Sequence, residues 1–338
     1  MPGAEGRIVG VDVARGLAVL GMAAAHVGDA GTWDEVTGAL QLADGRSAAT
    51  FATLAGVSIG LLSGGRSPRD LPVARARIAT RAVLIGTLGV LLMALGTPVV
   101  VILPSYAVMF LLALPVLGAS PRLLTGLAGV VLVVGAAVHE AVRDAAWALE
   151  WPVSILLGHY YPVVVWTAYL LAGLAVVRAG LLGRPARLAA IGLALALVGY
   201  GTGAVAAFVA GPVAGGPLDL TPHSSTVPEA LGNLGVAFVV LAGSLAVSRR
   251  LPGVVAPLAA TGALALTAYT GQVVAIAVLG RDVVYQPSNV VLAAFVVVTV
   301  AACWVWRSLW GRGPLERLIH GASVAVGESF ATPARSEP

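Results

Sequence analysis

Ten runs of mostly apolar residues, each near the length a helix needs to cross a bilayer, dominate this chain. A spanning helix takes about 20 such residues, and the runs fall at roughly 8 to 28, 46 to 63, 74 to 96, 99 to 118, 121 to 139, 160 to 178, 187 to 211, 227 to 247, 256 to 279 and 288 to 309. Lipid offers no hydrogen-bond partners, so each run must satisfy its own backbone, as a helix does. The expected fold class is all-α: a polytopic integral membrane helical bundle of about ten transmembrane helices. The run at 46 to 63 is short, which leaves it open to being half re-entrant.

With 58% of the 338 residues hydrophobic and 11% charged, intrinsic disorder is excluded, and a single cysteine excludes a disulfide scaffold. Cys303 lies inside an apolar run and reads as a packing residue. The formal charge of +4 comes from basic residues that are all arginine. Most sit in short loops between the runs, so they read as topology and as contacts to anionic headgroups, not as a nucleic-acid surface.

Arginine-rich loops alternate with acidic ones. Arg66, Arg69, Arg75 and Arg77, then Arg122, then Arg178, Arg184 and Arg187, then Arg249 and Arg250 mark one side. Asp29, Asp34, Glu35 and Asp44, then Glu140, Asp144 and Glu150, then Asp219 and Glu229, then Asp282 mark the other. The positive-inside rule therefore places the N-terminus (Arg7) and the C-terminus (Arg312, Arg317, Arg335) both in the cytoplasm. Asp12 and Arg15 interrupt the first run, which argues for a retained helix over a cleaved signal peptide. Trp147 and Trp151, ending at Pro152, suggest a short interfacial helix on the outer face. The expected organisation is one transmembrane domain over 1–322 with a flexible cytoplasmic tail over 323–338.

The most informative feature lies in the first run. Asp12, Arg15, Val19, Met22 and His26 follow a three-four-three-four spacing and share one helical stripe. Asp12 and His26 are about 21 Å apart along such a helix, so the stripe crosses the membrane and the two cannot touch. Asp12 and Arg15, three residues apart, can neutralise each other, which fits a brace between helices as well as a functional site. His26 fits either a hydrogen-bonded helix end or a reactive group. Arg46, on the outer side against the general bias, is a headgroup anchor or an anion partner. His223 sits in the polar loop Thr221 to Thr226, with Glu229 soon after. His139 and His159 read as interfacial, and His320 as solvated. Tyr106 follows Pro104, and Tyr269 with Gln272 lies in an apolar run; their polar groups serve helix-to-helix contacts or a ligand. The sequence holds no metal-ligand cluster, G-x-S-x-G elbow, phosphate loop or H-E-x-x-H motif.

Several stretches resemble known families. Residues Arg7 to Met22 are similar to the R-x-x-x-(L/V)-D-x-x-R-G opening shared by the YeiB family and the heparan-alpha-glucosaminide N-acetyltransferase family. Gly45 to Ser47 with Phe51 to Val57 resembles the second helix of these proteins, and Leu103 to Leu111 their tyrosine-containing stretch. Gly262 to Gln272, Trp304 to His320 with Gly313-Pro314-Leu315-Glu316-Arg317, and Pro222-His223-Ser224 resemble YeiB-type elements.

The resemblance implies an acyl-CoA-dependent transmembrane acyltransferase of the bacterial cell membrane. Such an enzyme moves an acetyl or other acyl group from cytoplasmic acyl-CoA to an acceptor hydroxyl or amine on a glycan, lipid or small molecule outside. His26 stands where the lysosomal enzyme of the family carries Asn, and no histidine follows between Val27 and Asp44. That departure favours direct transfer, with His26 as base, over a covalent acyl-histidine. The implied catalytic set is His26 with His223 and Arg46, which orient the acceptor or stabilise the oxyanion. The implied donor set is Arg75, Arg77 and Arg81 for the phosphates, with Asp12, Arg15, Tyr106, Tyr269 and Gln272 along the arm. Expected partners are membrane lipids, acetyl-CoA or another acyl-CoA and the outer acceptor; a homodimer is compatible with the plan, and no metal or nucleic acid is expected. The alternative from another class is a carrier or flippase for a lipid-linked or small anionic solute.

Overall fold

The computed structural model describes residues 7–32, 35–211 and 215–330, so Asp34, Arg335 and the end of the expected tail lie outside the described residues. Within them the regular structure is helical throughout. The α-helices are α1 (Val9–Val27), α2 (Arg46–Leu62), α3 (Leu71–Met93), α4 (Leu103–Ala113), α5 (Pro121–Val142), α6 (Ala146–Leu149), α7 (Val153–Leu157) and α8 (Val163–Arg178). They continue as α9 (Pro185–Ala210), α10 (Val227–Arg250), α11 (Ala256–Ala263), α12 (Ala265–Leu279), α13 (Asp282–Tyr285), α14 (Asn289–Trp310) and α15 (Pro314–Glu328).

The bundle is a polytopic membrane fold. Among the described residues six helices are long and apolar enough to cross a bilayer: α1, α3, α5, α9, α10 and α14. The pair α11 and α12 makes a seventh if counted together, although it is bent by 79°. All ten apolar runs are helical, but three fall short of full-length spans. α2 has 17 residues, α8 has 16, and α4 with the 3-10 turn behind it covers Leu103–Val116. A buried helix in the middle of a bundle does not need to match the lipid thickness on its own, and α8 shows why. Every residue from Val163 to Arg178 except Val164 is buried, the all-round burial expected of a helix surrounded by others. α2, α4, α5 and α7 pack around it, while α9 and α14 turn most of their surface outward.

Arg178 closes the end of α8. Its guanidinium donates to Ser63 Oγ at 2.7 Å and to the carbonyls of Leu117 at 2.6 Å and Gly60 at 3.1 Å, and also contacts the Gly65 carbonyl. Carbonyl acceptors from the ends of α2 and α4 thus satisfy a buried charge that would otherwise be unfavourable.

The packing that positions the site is between α1 and α11. A Cβ on Gly262 would lie 1.7 Å from the Asp12 carbonyl oxygen, and one on Gly16 would lie 2.3 Å from that of Leu258. Only glycine lets the two backbones touch there, a device common between membrane helices. Just beyond Gly262 the helix breaks at Leu264, and the exposed N-terminus of α12 is capped from α15. Glu316 accepts from the Leu266 and Thr267 N–H groups at 2.9 and 3.0 Å and from the Thr267 hydroxyl at 2.5 Å. A carboxylate there also complements the helix dipole.

α15 runs six residues past position 322, so the expected boundary between domain and tail falls inside a helix. Ile319, Ser323 and Gly327 are buried at four-residue spacing, and α15 lies against α3. Two of these three side chains are too small to register as a hydrophobic stripe. Trp147 and Trp151 sit at the short helices α6 and α7, both more than half exposed.

Candidate functional site

The polar stripe of α1 connects two cavities. At its first end Asp12 is buried between two arginines: Arg15 donates to Oδ1 at 2.8 Å, and Arg7 contacts Oδ2. The other terminal nitrogen of Arg15 donates to Ser58 Oγ on α2 at 3.0 Å. One carboxylate against two guanidinium groups leaves an excess positive charge. Arg7 and Arg15 both line a cavity of 290 Å³, together with Arg81, Arg312, His320 and Glu316. Glu316 is committed to capping α12, so this chamber presents four arginines with little to balance them, the environment that suits a phosphorylated ligand. Burial, and then the charges of Arg312, Arg81 and Arg77, push the His320 imidazole below its ordinary value.

The second cavity, of 350 Å³, lies around the far end of α1. Its wall includes Met22 and His26 from α1, Ser47 and Ala48 from α2, Asp44 before α2, Tyr160 and Tyr161 before α8, and His223 before α10. His223 Nε2 is 3.3 Å from Asp44 Oδ1, and its Nδ1 is 3.3 Å from the Tyr160 carbonyl oxygen. Both ring nitrogens therefore face acceptors. Burial by itself would raise the Asp44 carboxyl, but the His223 hydrogen bond and charge, with the Gly45 N–H, hold it below its usual range. Aromatic rings enclose the imidazole: Tyr160 and Tyr161 at 5.3 Å between centroids, and Trp166 stacked at 6.2 Å. His26 is different. Among the described residues its ring has no hydrogen-bond partner, only the electrostatic influence of Asp44 and His223 across the cavity.

The loop that presents His223 is held under strain. His223 and Ser225 have φ of 65° and 55°, a region non-glycine residues seldom occupy. Asp219 organises the turn, its carboxylate accepting from the N–H groups of Gly215 at 2.9 Å and Thr221 at 2.8 Å and from the Thr221 hydroxyl at 2.9 Å. Those bonds outweigh its burial and keep the carboxyl below its ordinary range. The Asp219 carbonyl takes the Thr226 hydroxyl at 2.6 Å, and Thr226 in turn caps α10.

Comparison with known families decides what this pair of cavities belongs to. The sequence profile of the heparan-alpha-glucosaminide N-acetyltransferase catalytic family matches residues 7–202, more than half of the chain. The chain belongs to this family. A second profile, a family of unknown function designated DUF418 and of YeiB type, matches residues 176–325. Neither the curated proteins nor the solved structures contain a match. The acetyltransferase profile thus covers Arg15, His26 and Asp44, and the YeiB-type profile covers His223 and Glu316.

Not every residue singled out by sequence lines these chambers. His26 and His223 share the second cavity. Arg46 does not line it: its guanidinium lies 5.1 Å over the Tyr200 ring and donates to the Gln41 and Asp44 carbonyls at 3.3 and 3.4 Å. Behind the cavity, Tyr200 donates to Asn233 at 2.6 Å and Asn233 to the buried Glu229 at 2.5 Å. Of the three arginines on α3, Arg81 lines the first cavity, whereas Arg75 donates to the Leu114 carbonyl at 3.1 Å and Arg77 packs on Gly327 of α15. Tyr106 lines the first cavity; Tyr269 is buried near it. Gln272 donates to the Val19 carbonyl at 3.5 Å and lines a separate, largely apolar hollow of 470 Å³ between α12 and α14. Arg7 and Arg312 were read only as markers of topology and His320 as solvated, although Arg7 opens the first quoted motif and Arg312 and His320 fall in the C-terminal one. Asp44 was read only as a loop acid.

Proposed function

We propose that this acetyltransferase-family chain is a transmembrane acyltransferase of the bacterial cell membrane that takes an acetyl or other acyl group from cytoplasmic acyl-CoA and delivers it to an acceptor on the outer face. The observation that carries the reading is the pairing of an arginine-rich chamber and a histidine-bearing chamber at opposite ends of one α1 stripe. In this reading all ten apolar runs cross the membrane, with both termini in the cytoplasm.

The chemistry follows from what each chamber offers. Arg7, Arg15, Arg81 and Arg312 hold the donor's phosphates by fixed positive charge, and Asp12 holds two of them in place. At the other end His26, whose ring has no hydrogen-bond partner among the described residues, takes the proton of the acceptor hydroxyl or amine as its oxygen or nitrogen attacks the thioester carbonyl. The new carbon–oxygen or carbon–nitrogen bond forms, the carbon–sulfur bond breaks, and the imidazolium returns the proton to the departing thiolate. His223, held between Asp44 and the Tyr160 carbonyl on the same cavity wall, orients the acceptor beside His26. Arg46 acts behind it, by holding the chain at the start of α2.

Native membranes that overproduce the chain contain its acceptor, so they provide the test. Added acetyl-CoA should release free CoA thiol faster with the wild type than with His26→Ala at equal expression. Equal rates, both at the level of membranes lacking the chain, would overturn the assignment.

A further inference from the structure

The two cavities come within one helical turn of each other. Along α2, Ala48 lines the histidine-side cavity and Phe51 lines the arginine-side one, an axial separation of about 4.5 Å. Along α1 the boundary lies between Arg15 and Met22, with Val19 fully buried between them. A stacked aromatic pair lines the arginine-side cavity next to this boundary. Phe51 stacks on Tyr106 of α4 with ring centroids 5.8 Å apart and planes inclined by 24°. Tyr161 lines the wall of the other cavity.

Packing alone does not explain a tyrosine in this pair. Tyr106 is 2% exposed, and among the described residues its hydroxyl has no hydrogen-bond partner. Leaving a buried hydroxyl unpaired is destabilising, and phenylalanine would fill the same space without that penalty. The unmatched donor belongs to the wall of the arginine-side chamber, where the proposed donor molecule lies. With its phosphates among the arginines, the next part of an acyl-CoA is a thin arm carrying two amide carbonyls and then the thioester carbonyl, all hydrogen-bond acceptors.

We propose that Tyr106 donates its hydroxyl to a carbonyl of this pantetheine arm as the arm passes the Phe51–Tyr106 pair, which makes the pair a selective septum between the chambers. The inference rests on the acyl-CoA reading above. It adds the point at which the donor passes from one chamber to the other and the residue that recognises it there. Without a donor the stacked rings keep the chambers apart.

Binding to the purified full-length protein separates the two ideas. The probes are acetyl-CoA and adenosine 3′,5′-bisphosphate, which keeps phosphates of the donor but lacks the arm. Tyr106→Phe should weaken acetyl-CoA binding about 3- to 10-fold, the range of one net hydrogen bond, and leave the bisphosphate unchanged. Without ligand, the variant should melt no lower than the wild type, because it loses only an unpaired hydroxyl. Equal acetyl-CoA affinity in the two proteins overturns the proposal while sparing the donor reading; the hydroxyl then meets an internal water only. Equal weakening of both probes also overturns it, since the ring and not the hydroxyl would be at work. A wild type that binds neither probe removes the donor reading and this inference together.

Discussion

His26 and His223 face one cavity, yet their surroundings divide the work between them. His223 has an acceptor at each ring nitrogen, so neither nitrogen is turned to an acceptor molecule in the cavity as a base. His26 has no hydrogen-bond partner among the described residues. A general base supplies about 10² to 10⁴ in rate, so His26→Ala should lower transfer by that factor in assays of CoA thiol release while acetyl-CoA binding is unchanged. His26→Asn should be almost as impaired, because an amide can orient an acceptor but cannot take its proton; near-normal transfer by this variant would make the residue a hydrogen-bonding group. His320 gives a pH signature at the other chamber. Its value lies below the ordinary one, about 6.5, because of burial and then Arg312, Arg81 and Arg77. Protonation adds a charge to the arginine-lined wall where the proposed donor's phosphates lie, so acetyl-CoA affinity should be flat above about pH 6.5 and rise as pH falls through the lowered value. His320→Ala should abolish that rise in binding titrations. The stripe from Asp12 to His26 was legible because three-four spacing is a one-helix property. The pairing of Asp44 with His223 was not, since it joins distant parts of the chain that only the fold brings together.

At the scale of the helices, the site depends on how close α1 and α11 come. Gly262→Ala would place a methyl 1.7 Å from the Asp12 carbonyl oxygen, and the backbones must separate to accept it. Overpacking of this kind costs about 1 to 3 kcal/mol or more, and it shifts the residue that holds Arg7 and Arg15. Thermal unfolding of Gly262→Ala should occur at lower temperature and acetyl-CoA binding should weaken. Gly271→Ala, where nothing lies within 4 Å of the added carbon, should change neither. Unchanged binding in Gly262→Ala would mean that the Asp12 cluster tolerates displacement. The sequence showed an uninterrupted apolar run here, because the break at Leu264 is imposed from outside: Glu316 of α15 takes the N–H groups that the broken turn releases. The side-chain direction of Arg46 was hidden for a related reason. Its position at the start of α2 was legible, but the choice between cavity and Tyr200 is made by side-chain packing on α9.

For donor and acceptor to be met from opposite faces the two chambers must open to opposite sides, and that topology depends among others on α8, a 16-residue helix between an acidic and an arginine-rich segment. Single cysteines at Glu150 and Arg184, which flank α8, should label from opposite sides of sealed vesicles. The chain's one natural cysteine, Cys303, is buried and gives little background. Labelling of both from one side would contradict ten crossings. Exposed arginine-phosphate attraction is screened by salt, so acetyl-CoA binding should also weaken between about 0.1 and 1 M, as the Debye length falls from about 10 to 3 Å. The central claim, donor on one face and product on the other, is tested most directly in sealed inverted membrane vesicles given acetyl-CoA labelled in the acetyl group. The account predicts that label accumulates in acceptor inside the vesicles while free CoA stays outside, and that Arg81→Gln and His26→Ala each remove the accumulation. Labelled product appearing only on the same side as the CoA, or label entering equally with the variants, would contradict it.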